Sequence, residues 1–154
     1  MLTAEEIQEI EREAAHYPKR EAVSIDALKI VQKHRGWVSD ESLRDIAEHI
    51  GMSRTDLDSI ATFYNLIYRR PVGRHVISVC DSVSCWIMGC EQMRKHLQQR
   101  LGIGLGETTP DNRFTLLPTV CLGCCDHAPA LMVDGNLHAD LDPRKIDTEL
   151  ENYK

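Results

Sequence analysis

Residues 75–85 read His75-Val76-Ile77-Ser78-Val79-Cys80-Asp81-Ser82-Val83-Ser84-Cys85. The opening five residues are rich in β-branched side chains and predict a strand. That strand runs straight into Cys80, so it delivers a thiol at its end. The pattern returns downstream, where Phe114-Thr115-Leu116-Leu117 predicts a second strand running towards Cys121-Leu122-Gly123-Cys124-Cys125. Between the two, a helix is predicted after Cys85, with Met93, Leu97 and Leu101 on one stripe and Gly102 as its stop. Ala130-Leu131-Met132-Val133 predicts a third strand. Asp134-Gly135 is a two-residue hairpin signal, and Asn136 to Ala139 return as a fourth strand. Asp142-Pro143 opens a last helix, because proline is favoured at the first helical position. Ile146, Leu150 and Tyr153 form its inward face.

The order over residues 74–154 is therefore β-α-β-β-β-α. A parallel pair joined by a crossover helix, then a hairpin and a packing helix, is the thioredoxin-like α/β arrangement. In such a sheet the first two strands are parallel neighbours, and the loops beyond them lie side by side. Cys80 and Cys85 should therefore approach Cys121 and its followers, although 35 residues separate Cys85 from Cys121.

Residues 1–70 read as helices, which makes the fold class α+β, with a small N-terminal helical bundle. Thr3 is an N-cap completed by Glu6 as a capping box, followed by Ile7, Ile10, Ala14 and Tyr17 on one face and a stop at Pro18. Ser24 is read as the cap of a second helix with Leu28, Val31 and Ile25 inward and Gly36 beyond its end. Ser39 opens a third helix carrying Leu43, Ile46 and Ile50 and ending at Gly51. Ser53 with Asp56 opens a fourth, with Leu57, Ile60 and Ala61 inside. So small a bundle leaves apolar surface uncovered, and the expectation is that it binds a partner.

The chain has 154 residues, 42% hydrophobic and 27% charged, which suits a folded core and excludes a disordered chain. Its formal net charge is −6. The densest basic group, Arg69, Arg70 and Arg74, has no companion stripe or aromatic platform, so no nucleic acid partner is expected. No apolar run reaches membrane-spanning length, so no direct membrane insertion is expected. The start, Met1-Leu2-Thr3-Ala4-Glu5-Glu6, is acidic and resembles neither a signal nor a transit peptide. The six cysteines are accordingly expected in a reducing compartment, the bacterial cytosol, where clustered thiols mean metal or redox chemistry rather than disulfides.

Soft thiolates select zinc, copper(I) or iron–sulfur clusters. The gap between Cys80 and Cys85 is wide for a zinc knuckle, whereas Cys121 and Cys124 have zinc-like spacing. Spacing alone leaves three readings open: an iron–sulfur site, a structural zinc module, and a thiol–disulfide couple using Cys121 and Cys124. Asp81 and Asp126 would lower a cluster's potential if their carboxylates lie near it, or else cap their loops. Gly123 would let the backbone approach sulfur. Trp86, Ile87 and Met88 would shield the site, dock a partner or pack in the core. His127 is not expected to ligate when four cysteines suffice. Leu101-Gly102-Ile103-Gly104-Leu105-Gly106 follows a helix and lacks phosphate-loop spacing, so it reads as a flexible connector.

The motifs Cys80-Asp81-Ser82-Val83-Ser84-Cys85 and Cys121-Leu122-Gly123-Cys124-Cys125-Asp126-His127-Ala128-Pro129 resemble the thioredoxin-like [2Fe–2S] ferredoxin family. More narrowly, the chain resembles the NuoE-type small subunits of the NADH module of respiratory complex I. The likeness extends to Leu28-Lys29-Ile30-Val31-Gln32-Lys33, Arg35-Gly36-Trp37-Val38, Ala61-Thr62-Phe63-Tyr64 and Phe114-Thr115-Leu116-Leu117-Pro118. The resemblance implies one [2Fe–2S] cluster held by Cys80, Cys85, Cys121 and Cys125, with Cys90 and Cys124 spare. It implies an electron-transfer subunit of an NADH:quinone oxidoreductase that is not catalytic alone. FMN and NADH would be bound by a NuoF-like flavoprotein subunit, paired with this chain as a heterodimer. Further complex I subunits would hold the pair peripherally on the cytoplasmic face of the inner membrane. Similar subunits serve soluble NAD-linked formate dehydrogenases and hydrogenases, the alternative host.

Overall fold

Capping residues delimit the helices of the N-terminal half. In the computed structural model, which describes residues 1–154, the Glu6 N–H donates to Thr3 Oγ1 at 3.2 Å and the Thr3 N–H donates to Glu6 Oε2 at 2.7 Å. This reciprocal pair opens α1, Ala4–Ala14. Ser39 and Ser53 cap α3, Asp40–Ile50, and α4, Arg54–Phe63, by accepting from the Ser42 and Asp56 N–H groups. Gly36 follows the end of α2, Ser24–Arg35, and Gly51 the end of α3. The inward faces of these helices supply Ile10, Leu28, Val31, Leu43, Ile46 and Leu57, all with no exposed surface. Each such side chain contributes about 1.5–3 kcal/mol by leaving water.

Two readings of this half need correction. Ser24 is not a cap: a 3-10 turn over Arg20–Val23 precedes it, and Ser24 is itself helical (φ −50°, ψ −46°) and buried. Tyr17 is not on the inner face of α1. The residue before a proline is pushed out of the helical region, the helix ends at Ala14, and the exposed Tyr17 hydroxyl donates to Asp26 Oδ2 at 2.7 Å. Ile7, Ile25 and Ile60 are half-buried rather than fully enclosed.

Met1–Pro71 and Val72–Lys154 form two compact units. In the second, β1 is His75–Cys80, β2 Phe114–Thr119, β3 Leu131–Val133 and β4 Asn136–His138, in the sheet order β2-β1-β3-β4. β1 and β2 are parallel, from His75 opposite Phe114 to Cys80 opposite Thr119. β3 runs antiparallel to β1 and forms a hairpin with β4. The turn between them, Asp134 (φ 50°) and Gly135 (φ 86°), has both residues left-handed, as a twisted two-residue hairpin requires.

The crossover is not one helix. α5, Val83–Ile87, contains Cys85, and α6, Cys90–Leu101, follows after a break at Gly89 (φ 98°). That backbone conformation suits glycine and ends a helix. α7, Pro143–Glu151, is capped by Asp142, whose carboxylate accepts from the Arg144 and Lys145 N–H groups. Ile77, Val79, Leu116 and Val133 of the sheet meet Met93 and Leu97 of α6 and Ile146 and Leu150 of α7 in one core. The glycine-rich stretch after α6 is tied down: Ile103 is buried, and the Gly106 N–H donates to the Leu116 carbonyl at 2.7 Å. No helix is long and apolar enough to cross a membrane.

Candidate metal centre

The parallel ladder ends at Cys80 and Thr119, and the chain continues from both at the same edge of the sheet. The Asp81 N–H donates to the Thr119 carbonyl at 2.9 Å, clipping the first loop to the end of β2. Cys121 lies two residues further on. The Cys80 N–H donates to the Ala130 carbonyl at 3.3 Å, which brings the far side of the second loop back to β1. Thiols remote in sequence are thereby gathered by backbone pairing alone.

The sulfurs form a connected group. Cys121 Sγ and Cys125 Sγ lie 3.3 Å apart. Cys80 lies near enough to act on the thiols of both Cys85 and Cys121. Cys80 and Cys85 are buried, while Cys121 and Cys125 are exposed at the mouth. Cys124 turns away and packs partly against the core, and Cys90 is buried at the start of α6. The pair Cys121/Cys124, attractive by spacing, is therefore not the pair whose sulfurs meet. No three His, Cys, Asp or Glu side chains converge on a single ion-sized point. In a two-iron rhomb each iron takes two thiolates.

Donors surround these sulfurs. The Gly123 N–H points at Cys121 Sγ at 3.4 Å, with Gly123 at φ 79°. This bond, with the Cys125 thiol next, pulls the Cys121 thiol below its ordinary pKa; its partner Cys125 is pushed up by sharing that proton. Burial pushes the Cys85 thiol up to about 11, opposed by the Ala130 backbone N–H. The Ser82 and Ser84 hydroxyls act on Cys121 and Cys125 respectively, each pulling its thiol's pKa down. Ser82 occupies the N-cap position of α5 yet makes no side-chain cap bond there, which leaves its hydroxyl for sulfur. Asp81 faces Arg94, and Asp126 faces His127. His127 Nδ1 lies 2.9 Å from Asp140 Oδ2, so this ring is engaged by carboxylates.

The rim is apolar. Val83, Trp86, Ile87, Met88 and Val120 are each more than half exposed. Core packing is thus not the role of Trp86, Ile87 and Met88. The serine hydroxyls, the Ala130 backbone and Arg94 were not singled out from the sequence. The two serines inside the Cys80–Cys85 loop were the one local signal available.

The family profile for thioredoxin-like [2Fe–2S] ferredoxins matches residues 10–154. An NADH-quinone oxidoreductase subunit of Pseudomonas aeruginosa is 52% identical over 153 residues, covering 99% of this chain and 92% of that protein. The Escherichia coli K12 protein of the same name is 51% identical over the same span. Among solved structures, an NAD+-reducing [NiFe]-hydrogenase in the air-oxidized state superposes with a TM-score of 0.69 at 25% identity, covering 82% of this chain and 22% of that chain. The profile spans the strand ends, the thiol loops and most of the helical unit alike, and on that extent the chain belongs to the thioredoxin-like [2Fe–2S] ferredoxin family.

Proposed function

We propose that this chain is the electron-carrying small subunit of an NADH:quinone oxidoreductase, holding one [2Fe–2S] cluster on Cys80, Cys85, Cys121 and Cys125. The observation that carries this reading is the meeting of thiols from two distant loops at one sheet edge. It stands in a chain about half identical, end to end, to NADH-quinone oxidoreductase subunits of two bacteria. Four soft thiolates suit the group chemically. When bound, such a cluster takes up and returns single electrons.

The chain's own groups have definite tasks. The Gly123 and Ala130 N–H groups and the Ser82 and Ser84 hydroxyls direct partial positive charge at sulfur, which favours the reduced state. Cys121 and Cys125 bring the site to the surface, where an electron can cross to a partner. The apolar rim of Trp86, Ile87 and Met88 excludes water once a partner covers it. An NADH module must also bind NADH and take hydride. Those tasks belong to a NuoF-like flavoprotein carrying FMN and NADH, paired with this chain as a heterodimer. In the helical unit, the exposed Phe63, Tyr64 and Leu66 supply a second apolar contact for the assembly. The assembled subunits would lie peripherally on the cytoplasmic face of the membrane.

Purified protein should be red-brown, with about two irons and two acid-labile sulfides per chain, and should co-purify with an FMN-containing subunit. A colourless protein with stoichiometric zinc would sink the reading. The likeness to the NAD+-reducing hydrogenase favours a second host, a soluble NAD-linked enzyme. Co-purification of membrane subunits decides for the quinone-reducing complex, and co-purification of a hydrogenase or formate dehydrogenase subunit decides against it.

A further inference from the structure

Asp81 directly follows Cys80, and on sequence alone it makes the surroundings of that thiol acidic. The fold sets a cation against it. Arg94, one turn into α6, places Nη1 4.0 Å from Asp81 Oδ1 and pairs through Nη2 with Glu91. Glu91 is held in turn by Lys95 at 3.7 Å. The exposures are unequal: the Arg94 side chain is 28% exposed, against 59% for Asp81 and 67% for Lys95. Water and salt screen the exposed charges most, and the guanidinium is the least exposed of the three. Arg94 also lines a narrow cleft with Cys80, Asp81 and Cys90. Its influence registers on the buried Cys90 thiol, which burial and Asp81 push up and Arg94 pulls down.

We propose that Arg94 tunes the reduction potential of the cluster, its guanidinium stabilising, from behind Cys80, the negative charge that reduction adds. Reduction adds one electron, donated by the partner's reduced flavin, and makes or breaks no bond. The site becomes more negative by one charge, and a nearby cation lowers the free energy of that change. Asp81 acts in the opposite sense. Arg94 is a positioning residue with no contact to iron required. The proposal rests on the cluster assignment made above.

The test is a dithionite titration of the full-length chain loaded with iron and sulfide, followed by EPR. Arg94→Met should shift the midpoint potential downward. Arg94→Lys, which keeps the charge, should stay near the unaltered chain, and Asp81→Asn should shift it upward. An unchanged potential in Arg94→Met with full cluster content overturns the proposal. So does an equal shift in Arg94→Lys, because packing rather than charge would then be the cause. If Arg94→Met sheds its cluster, Asp81→Asn decides: an upward shift supports the proposal and no shift overturns it. An unaltered chain that takes up no iron and sulfide removes the cluster assignment itself, and the proposal with it.

Discussion

Cys80 and Thr119 are the last register partners of the parallel β1–β2 ladder, and the next residue, Asp81, donates its N–H to the Thr119 carbonyl at 2.9 Å. Both thiol loops therefore leave the sheet from one edge. This relationship brings together the loops that carry Cys80, Cys85, Cys121 and Cys125, the proposed ligands, while Cys90 is buried at the start of α6 and Cys124 packs partly against the core.

Alanine at Cys80, Cys85, Cys121 or Cys125 should abolish the cluster's EPR signal and the associated iron. Alanine at Cys124 or Cys90 should leave the signal in place, with a packing penalty at the buried Cys90. Loss at Cys124→Ala together with retention at Cys125→Ala would overturn the ligand set.

Gly123→Ala should weaken cluster retention without a steric clash. A Cβ at Gly123 meets nothing within 4 Å, but φ is 79°, and an alanine there costs about 1–2 kcal/mol. Relief of that strain moves the N–H that points at Cys121 Sγ. Thermal unfolding of the loaded chain should occur at lower temperature, with faster bleaching in the presence of a chelator. Gly123→Asn, which tolerates the left-handed region, should fall between the two.

Glu6 and Arg35 should carry much of the helical unit's stability. The Glu6 carboxylate is 1% exposed and accepts from Arg35 Nε and Nη2, each at 2.7 Å, while Arg35 Nη1 donates to Ser42 Oγ at 3.0 Å. One ion pair thus joins α1, α2 and α3. Arg35→Met leaves a buried carboxylate unpaired and should cost about 3–5 kcal/mol in denaturant unfolding. The double variant Glu6→Gln/Arg35→Met should recover part of that loss.

The same pair predicts an acid dependence. Arg35's hydrogen bonds hold the Glu6 carboxyl below its ordinary value of 4.5. Its contribution is therefore complete above pH 4.5 and is lost as pH falls through the lower folded value. In Arg35→Met this loss should vanish, because an unpaired buried carboxyl is stabilised by protonation. Unfolding midpoints measured on either side of pH 4.5 check the sign.

Serine at Trp86 and Ile87 should weaken binding to the proposed FMN-bearing partner by roughly tenfold or more, as expected for a buried aromatic anchor. Both side chains are mostly exposed in the chain itself, so its own stability should change by less than about 0.5 kcal/mol. Cluster content should be unaltered. Calorimetric titration of the loaded chain against the partner separates these outcomes.

The sequence by itself determined whatever is settled within a few residues. The caps at Thr3, Ser39, Ser53 and Asp142, the Asp134-Gly135 hairpin, and the strands ending in thiols all follow from local backbone sterics and hydrogen bonds. The β-α-β-β-β-α order and its parallel first pair followed from those elements, because few topologies join them. Tertiary structure alone decided the rest. It drew Ser24 into a helix and buried it. It set the Cys125 sulfur, which the family resemblance already favoured over Cys124, 3.3 Å from that of Cys121. It also set Arg35 against Glu6 and Arg94 against Asp81. These are contacts between groups whose separation in sequence carries no periodic signal, and their energies depend on burial and distance, which exist only once the chain has folded.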